Sequence, residues 1–198
     1  VVMDLGCGHG ITSIFLVKEY GFRVFSVDLW SNPSDNKRFF DEMGFSSKQI
    51  IPLKGDAASL PFAEEFFDGI VSIDSYHYFG RDKNFLKDKL LPLLKHGGYL
   101  YIAVPGMKKD LHEALPPELL LFWTKEDLDT IHDCSWWRSL IEKTPGIEIL
   151  SIHEMESNEE VWKDWLACDN EYARGDRRIF EAGGGKYLNF IAIILKRL

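Results

Sequence analysis

The sequence predicts an α/β protein in which helices cover both faces of a mostly parallel sheet. Through the first half of the chain, short apolar runs of strand length alternate with longer stretches of helical periodicity. Glycines and prolines separate these stretches and mark the turns between them. The chain has 198 residues, 45% of them hydrophobic, which suits one well-filled core and predicts a single domain over 1–198.

The apolar runs and the helical periodicity define the predicted elements. Strands are predicted at Val1–Gly6, Phe22–Leu29, Ile50–Lys54, Phe67–Asp74, Tyr99–Val104, Ile147–Met155 and Tyr187–Leu195. Helices are predicted at Gly10–Tyr20, Asn36–Met43, Arg81–Leu94 and 161–173, with another starting at Thr124. The Thr124 start rests on the run T-K-E-D, which is typical of a capping box.

The regular alternation ends after Pro105, and two later segments, 107–146 and 157–186, are predicted to form lid insertions. If the strands before them are parallel, both segments leave the sheet at its carboxyl edge, where open α/β sheets bind ligands. Their aromatic residues suit a flat, apolar or cationic small molecule, although packing of the lid onto the sheet is the better explanation for most of them. These residues are Phe122, Trp123, Trp136, Trp137, Trp162, Trp165 and Tyr172. The run EAGGGK (181–186) is interpreted as a flexible turn, and the arginines beside it as a solvated face.

Composition excludes several classes of protein. The net charge is −8 with the acids scattered along the chain, which disfavours a nucleic-acid partner. No His/Cys/Asp cluster has metal-ligand spacing, and no membrane-spanning run is visible. The 3 widely spaced cysteines fit reduced thiols in a cytoplasmic protein. The chain starts inside a strand without Met, so we expect residues before Val1, and nothing in it predicts the oligomeric state.

The most informative motif is D-L-G-C-G-H-G, in which Asp4 precedes glycines on alternate positions, Gly6, Gly8 and Gly10. A buried strand thus breaks into a turn without obstructing side chains, so that a large polar group can lie against the backbone. Dinucleotide-binding proteins favour G-x-G-x-x-G, and here Ile11 stands where that pattern needs its third glycine. Asp4 adds an anchor for a positively charged group, which a phosphate-binding loop would not need.

A second acid, Asp28, ends the second predicted strand about 20 residues beyond the turn. A carboxylate at that place accepts hydrogen bonds from ribose hydroxyls. The alternative is a cap for the following S-N-P-S segment. Leu29 and Trp30 come next and could cover one face of an adenine.

Two longer stretches extend the pattern, GDAASLPFAEEFFDGIVSIDSYHYF (55–79) and LLPLLKHGGYLYIAVPG (90–106). With the glycine turn, they resemble the class I S-adenosylmethionine-dependent methyltransferases, in particular the small-molecule group related to the ubiquinone and menaquinone biosynthesis enzymes. The resemblance covers 1–106 and departs at His96, where the group usually has proline. It implies a Rossmann-like, doubly wound sheet with strands 1–6 parallel and strand 7 antiparallel, and S-adenosylmethionine as cofactor.

The resemblance also implies roles for individual residues. Asp4 would engage the amino group of the methionyl part, directly or through water, and Asp28 would hold the ribose. Gly6, Gly8 and Gly10 would allow the cofactor to approach the backbone closely.

At the other strand ends, Leu29 would lie beside the adenine. Asp56, with the backbone of Ala57, would recognise the exocyclic amine of that base. Asp74 and Ser75 would line the methionine end of the site. Each polar side chain has a cap or turn role as its alternative, most strongly Ser75.

His77 is the candidate general base, because the turn after strand 4 faces the transferable methyl group in the resembling family. A base is needed only if the acceptor must lose a proton, and His77 could instead pack or hydrogen-bond within the turn. The predicted function is methyl transfer to a small-molecule acceptor whose identity and reacting atom the sequence does not specify. The alternatives are a cofactor-binding protein without catalysis and a nicotinamide-dependent oxidoreductase, the latter disfavoured by Ile11.

Overall fold

The computed structural model describes residues 1–198 and contains one seven-stranded sheet in the order β3-β2-β1-β4-β5-β7-β6. The strands are β1 (Val2–Leu5), β2 (Val24–Asp28), β3 (Ile50–Lys54), β4 (Phe67–Ile73), β5 (Leu94–Met107), β6 (Ile147–Glu154) and β7 (Leu188–Arg197). Strand β7 is antiparallel to both of its neighbours, β5 and β6, and all other pairs are parallel. Strands 1–6 therefore run in one direction and β7 in the other, which confirms the predicted fold class.

Seven α-helices and several short helical turns connect the strands. The α-helices are α1 (Ile11–Tyr20), α2 (Pro33–Glu42), α3 (Tyr76–Phe79), α4 (Lys125–Leu128), α5 (Cys134–Ile141), α6 (Asn158–Ala167) and α7 (Glu171–Glu181). Thr124 caps α4 in a capping box with Asp127, as its sequence predicts. None of the helices is long and apolar enough to cross a lipid bilayer.

Two predicted helices differ from those in the structure. Instead of one helix over Arg81–Leu94 there is a π-helical turn at Leu86–Leu90 and a 3₁₀ turn at Leu91–Leu93. Pro92 explains the break, because proline has no N–H for the helical ladder and its ring clashes with the preceding turn. The helix predicted over 161–173 is two helices, α6 and α7, because the Asn170 side chain accepts from the Ala173 N–H and starts α7 afresh.

Strand β5 is longer than its apolar run suggests. Its pairing with β7 extends to Met107, which lies opposite Leu188. At the other end, the register against β4 shifts between Phe67 and Gly69. The two glycines Gly97 and Gly98 therefore lie in an irregular part of β5 rather than before it.

Alternating residues of the sheet face two separate apolar clusters. On one face, β5 and β7 pack beneath Tyr76 and the fully buried ring of Trp137. On the other, α1 and α2 cover β1 and β2, with Phe40 at the centre. A third cluster, built around Met107, Trp162 and Leu188, joins α6 and α7 to the ends of β5 and β7. The lid segments are therefore packed onto the carboxyl edge of the sheet.

Candidate functional site

The carboxyl ends of β1, β2 and β4 meet at the glycine turn, whose three glycines all have a positive φ but differ in the space around them. A Cβ on Gly6 would overlap the Ser75 hydroxyl, and one on Gly10 would overlap the ring of Phe40. A Cβ on Gly8 would meet nothing within 4 Å. Gly6 and Gly10 therefore serve the packing of the protein itself, while the backbone at Gly8 faces open space that a ligand can occupy.

Asp28 fastens the glycine turn to the loop that follows β2. Its Oδ2 accepts from the Gly8 N–H at 2.9 Å, and its Oδ1 accepts from the N–H groups of Trp30 (2.8 Å) and Ser31 (2.7 Å). Burial alone would raise the pKa of Asp28, but the N–H donors of Ser31, Gly8 and Trp30 outweigh it and lower that pKa. The carboxylate is thus ionised at neutral pH. It has about four lone-pair positions, of which three are used by the backbone.

Asp4 lies beneath the turn with only 1% of its surface exposed. Its Oδ2 accepts from the Ser13 hydroxyl at 2.6 Å, and the Oγ atoms of Ser13 and Ser26 are 2.8 Å apart. Burial raises the pKa of Asp4 to about 7, and the charge of Asp28 contributes to the rise. The structure therefore places Asp4 where a positively charged group would favour its ionised form.

Asp74 and Ser75 follow β4 beside the turn. Ser75 donates to the Leu5 carbonyl at 2.9 Å and lies against Gly6, so its hydroxyl holds the end of β1. Asp74 has a positive φ of 55° and remains exposed to solvent. Nevertheless, desolvation by the surrounding protein raises the pKa of Asp74 to about 6, with a further contribution from the charge of Asp176.

The predicted adenine side of the site is open. Asp56 is exposed, and its Oδ1 accepts from the Ala58 N–H at 2.8 Å in a turn that includes Ala57. Leu29 is 45% exposed and Trp30 76% exposed. The ring of Trp30 contacts Tyr78 edge-on with centroids 6.1 Å apart. The loop after β2 thereby reaches the helix after β4.

His77 is buried in α3, with 2% of its surface exposed and its ring against that of Tyr78. Its Nδ1 atom has no hydrogen-bond partner. Burial lowers the pKa of His77 to about 4, and the charge of Arg81 lowers it further. The imidazole is therefore neutral at pH 7 and has a free nitrogen. Burial and the charge of Arg81 make protonation of the ring energetically unfavourable.

One carboxylate of the lid, Asp176, is a candidate site residue that the sequence analysis does not include. Only 6% of Asp176 is exposed, and it accepts from the indole N–H groups of Trp123 (2.9 Å) and Trp165 (2.8 Å). Burial raises the pKa of Asp176, although both indoles lower it in part. The available signal was an acid on the apolar face of a helix, because Asp176 shares a face with the buried residues Ala173 and Ile179. Trp162 and Trp165, three residues apart on α6, both pack in the lid cluster, Trp162 in its core and Trp165 at its edge, where its indole also donates to Asp176.

The run EAGGGK is an ordered turn, contrary to the flexible one expected. Gly184 starts a short 3₁₀ helix, and a Cβ on Gly184 or Gly185 would overlap Ile179 or Phe180. These glycines permit close packing of the turn on α7. The neighbouring arginine Arg177 is not simply solvated, since its guanidinium donates to carbonyl groups at the end of α6.

Comparison with known proteins identifies the family. Residues 3–102 match the model of a family described as the methyltransferase domain. The chain belongs to this methyltransferase family. The matched residues include the glycine turn, Asp28, Asp56 and His77.

Individual relatives of this methyltransferase chain act on different molecules. A 2-methyl-6-phytyl-1,4-hydroquinone methyltransferase of Synechocystis sp. is 30% identical over 126 residues, which are 63% of this chain and 36% of that protein. A sarcosine/dimethylglycine N-methyltransferase of Aphanothece halophytica is 26% identical over 155 residues, 77% of this chain and 53% of that protein. This methyltransferase chain thus matches only about a third to a half of the length of these relatives.

Solved structures share the fold of this methyltransferase chain. A putative sarcosine dimethylglycine methyltransferase from Galdieria sulphuraria superposes with a TM-score of 0.73 at 21% identity, covering 98% of this chain and 77% of that one. Geranyl diphosphate C-methyltransferase from Streptomyces coelicolor A3(2), solved with Mg²⁺, geranyl diphosphate and S-adenosyl-L-homocysteine, has a TM-score of 0.76 at 15% identity. That match covers 100% of this chain and 70% of the other.

Proposed function

We propose that this methyltransferase binds S-adenosylmethionine at the glycine turn and transfers its methyl group to a small-molecule acceptor. The observation that carries the proposal is the backbone at Gly8, which is open to free space beside the ionised carboxylate of Asp28. The geranyl diphosphate enzyme of the same fold was solved with S-adenosyl-L-homocysteine bound. The net charge of −8 supports a small molecule rather than a nucleic acid as the acceptor.

The residues at the edge fit such a cofactor. Asp28 has one lone-pair position left after its three backbone bonds, which suits a ribose hydroxyl. Asp4 is poised to gain from a nearby ammonium, because a positive charge would compensate its buried negative charge. Leu29, Asp56 and Ala57 form the open adenine side.

On the remaining side, Asp74 and Ser75 would line the methionine end. Ser75 sets the position of the β1 terminus through Leu5, while Asp74 carries an exposed carboxyl group whose pKa is raised to about 6 by desolvation. When bound, S-adenosylmethionine supplies an electrophilic methyl group on a sulfonium centre. The task of the chain is then to orient the acceptor and to exclude water.

We assign the exclusion of water to the lid segments 107–146 and 157–186, which we propose belong to one domain with the sheet. Trp123 and Trp165 come from different segments and meet at Asp176, so the lid is tied together at that carboxylate. The negative charge of Asp176 also contributes to the raised pKa of Asp74 at the end of β4. The two lid segments are thus joined over the carboxyl edge of the sheet, where the acceptor would lie.

His77 remains the proposed base for an acceptor that must lose a proton. Its neutral imidazole and its free Nδ1 favour this role, and the low pKa of about 4 opposes it. Packing within α3 is the competing role, supported by the contact with Tyr78. Three free cysteines support a cytoplasmic location.

Calorimetric titration with S-adenosylhomocysteine and with NAD tests the cofactor assignment. We expect binding of the homocysteine compound and none of NAD; the reverse result would make the protein a nicotinamide-dependent enzyme. Turnover is then measured with the labelled methyl donor on a panel of amines, carboxylic acids and hydroquinones. Cofactor binding without turnover of any acceptor would favour a binding protein that lacks catalysis.

A further inference from the structure

A second pocket lies in the lid, away from the glycine turn, between α6, α7 and the entry to β7. Four basic side chains line it, together with one acidic side chain, Glu159. The basic residues are Lys108, Lys163, Arg177 and Lys186. In a chain of net charge −8, this is a marked local excess of positive charge.

The basic side chains differ in how far the protein already satisfies them. Arg177 donates to the carbonyls of Leu166 and Cys168, both at 2.6 Å, so its guanidinium is already hydrogen-bonded within the wall of the pocket. Lys186 lies 3.3 Å from Glu118 and over the ring of Tyr187. Lys108 and Lys163 are exposed and form no ion pair. Two ammonium groups are therefore free to bind an anion.

The floor of the pocket is apolar. Leu166 and Phe180 line it beside Trp162, whose ring packs on Phe180 with centroids 4.7 Å apart. Trp162 is only 5% exposed, so its ring anchors this floor to the lid cluster. The pocket therefore combines an apolar surface with two free ammonium groups at its edge.

We propose that this pocket binds an anionic group, a carboxylate or a phosphate, that is attached to an apolar body. The free ammonium groups of Lys108 and Lys163 would neutralise the anion, and the apolar body would lie on Leu166 and Phe180. A wholly apolar ligand would leave the cations without a partner, and a polyanion such as nucleic acid would not use the apolar floor. Because α6, α7, Lys108 and Lys186 come from both lid segments, the ligand fastens these segments together.

The test is calorimetric titration of the whole chain with octanoate, octyl phosphate and the uncharged octanamide. We expect octanoate or octyl phosphate to bind about tenfold more tightly than octanamide at low ionic strength, with the advantage shrinking at high salt. The stronger of the two anions identifies the carboxylate or the phosphate as the group recognised. Equal affinity for the anions and for octanamide, or no binding of any of the three, would overturn the proposal.

Variants locate the binding. Replacing both exposed lysines (Lys108→Gln with Lys163→Gln) should lower the affinity for the preferred anion about fivefold to tenfold. Lys48→Gln, an exposed lysine outside the lid, is the matched control and should leave the affinity unchanged. An equal loss in the Lys48 variant would mean general attraction to the surface and would refute the site.

Discussion

The buried carboxylate beneath the glycine turn offers a sharp test of the site. Asp4→Asn replaces a carboxyl group by an amide of the same shape and removes its charge. Because the pKa of Asp4 is raised from 3.8 to about 7 by burial, the folded protein holds its proton more tightly than the unfolded chain does. The stability contributed by Asp4 therefore falls as the pH rises from about 4 to about 7, and none of this loss occurs in the variant.

The size of the effect follows from the same two values. A rise from 3.8 to about 7 corresponds to about 4 kcal/mol, and about 2 kcal/mol of this lies between pH 5 and pH 7. With only 1% of Asp4 exposed, solvent screening reduces the figure little. We expect the wild type to lose about 2–3 kcal/mol of unfolding free energy from this group between pH 5 and pH 8. The variant should not show this loss, so its stability relative to the wild type should rise by the same amount over that interval.

Urea unfolding of both proteins at pH 5 and pH 8 measures this difference, with the exposed Asp88→Asn as control for the loss of a surface carboxylate. A stability difference between wild type and Asp4→Asn that is the same at both pH values would refute the reasoning. The same variant should bind S-adenosylhomocysteine more weakly, because an amide cannot compensate the ammonium of the methionyl part. A gain in stability with a loss of affinity would indicate that the charge is kept for binding.

Three further variants test other parts of the site. Asp28→Ala should weaken the binding of S-adenosylhomocysteine by roughly 1–3 kcal/mol in calorimetry, and unchanged affinity would leave Asp28 only its capping role. His77→Ala should slow turnover about 100-fold on a responsive acceptor without changing cofactor affinity, whereas unaltered turnover would reject His77 as base. Gly10→Ala, at φ 84° and against the ring of Phe40, should cost about 2–4 kcal/mol of unfolding free energy. Gly21→Ala, at φ 67° with nothing within 4 Å, should cost only about 1 kcal/mol, and equal losses would contradict the packing role of Gly10.

The fold was predictable because its signals are local. Strand β3 has the predicted bounds, and the cap at Thr124 follows from four adjacent residues. The length of β5 was not predictable in this way, since it depends on pairing with a strand about 90 residues later in the chain. Pro92 was visible in the sequence, but the leucine periodicity around it favoured a helix that the structure does not form.

The candidate site could be predicted from the sequence where a short local pattern carries the signal. The glycine spacing indicated a backbone surface for a ligand, and Gly8 has the open space that this requires. The contributions of Gly6 and Gly10 are different, because they allow Ser75 and Phe40 to approach, and those contacts join distant parts of the chain. Asp176 was missed for the same reason, as its two indole partners become neighbours only when the lid has folded.

The three backbone bonds of Asp28 have a consequence for how the site fills. The carboxylate is held in place by Gly8, Trp30 and Ser31 in the folded chain itself, so the conformational entropy of ordering it is spent during folding. A ribose bound here, as we propose, would meet a preorganised acceptor, and little further ordering would oppose its binding. Part of the proposed cofactor affinity would then be supplied by the stability of the loop after β2.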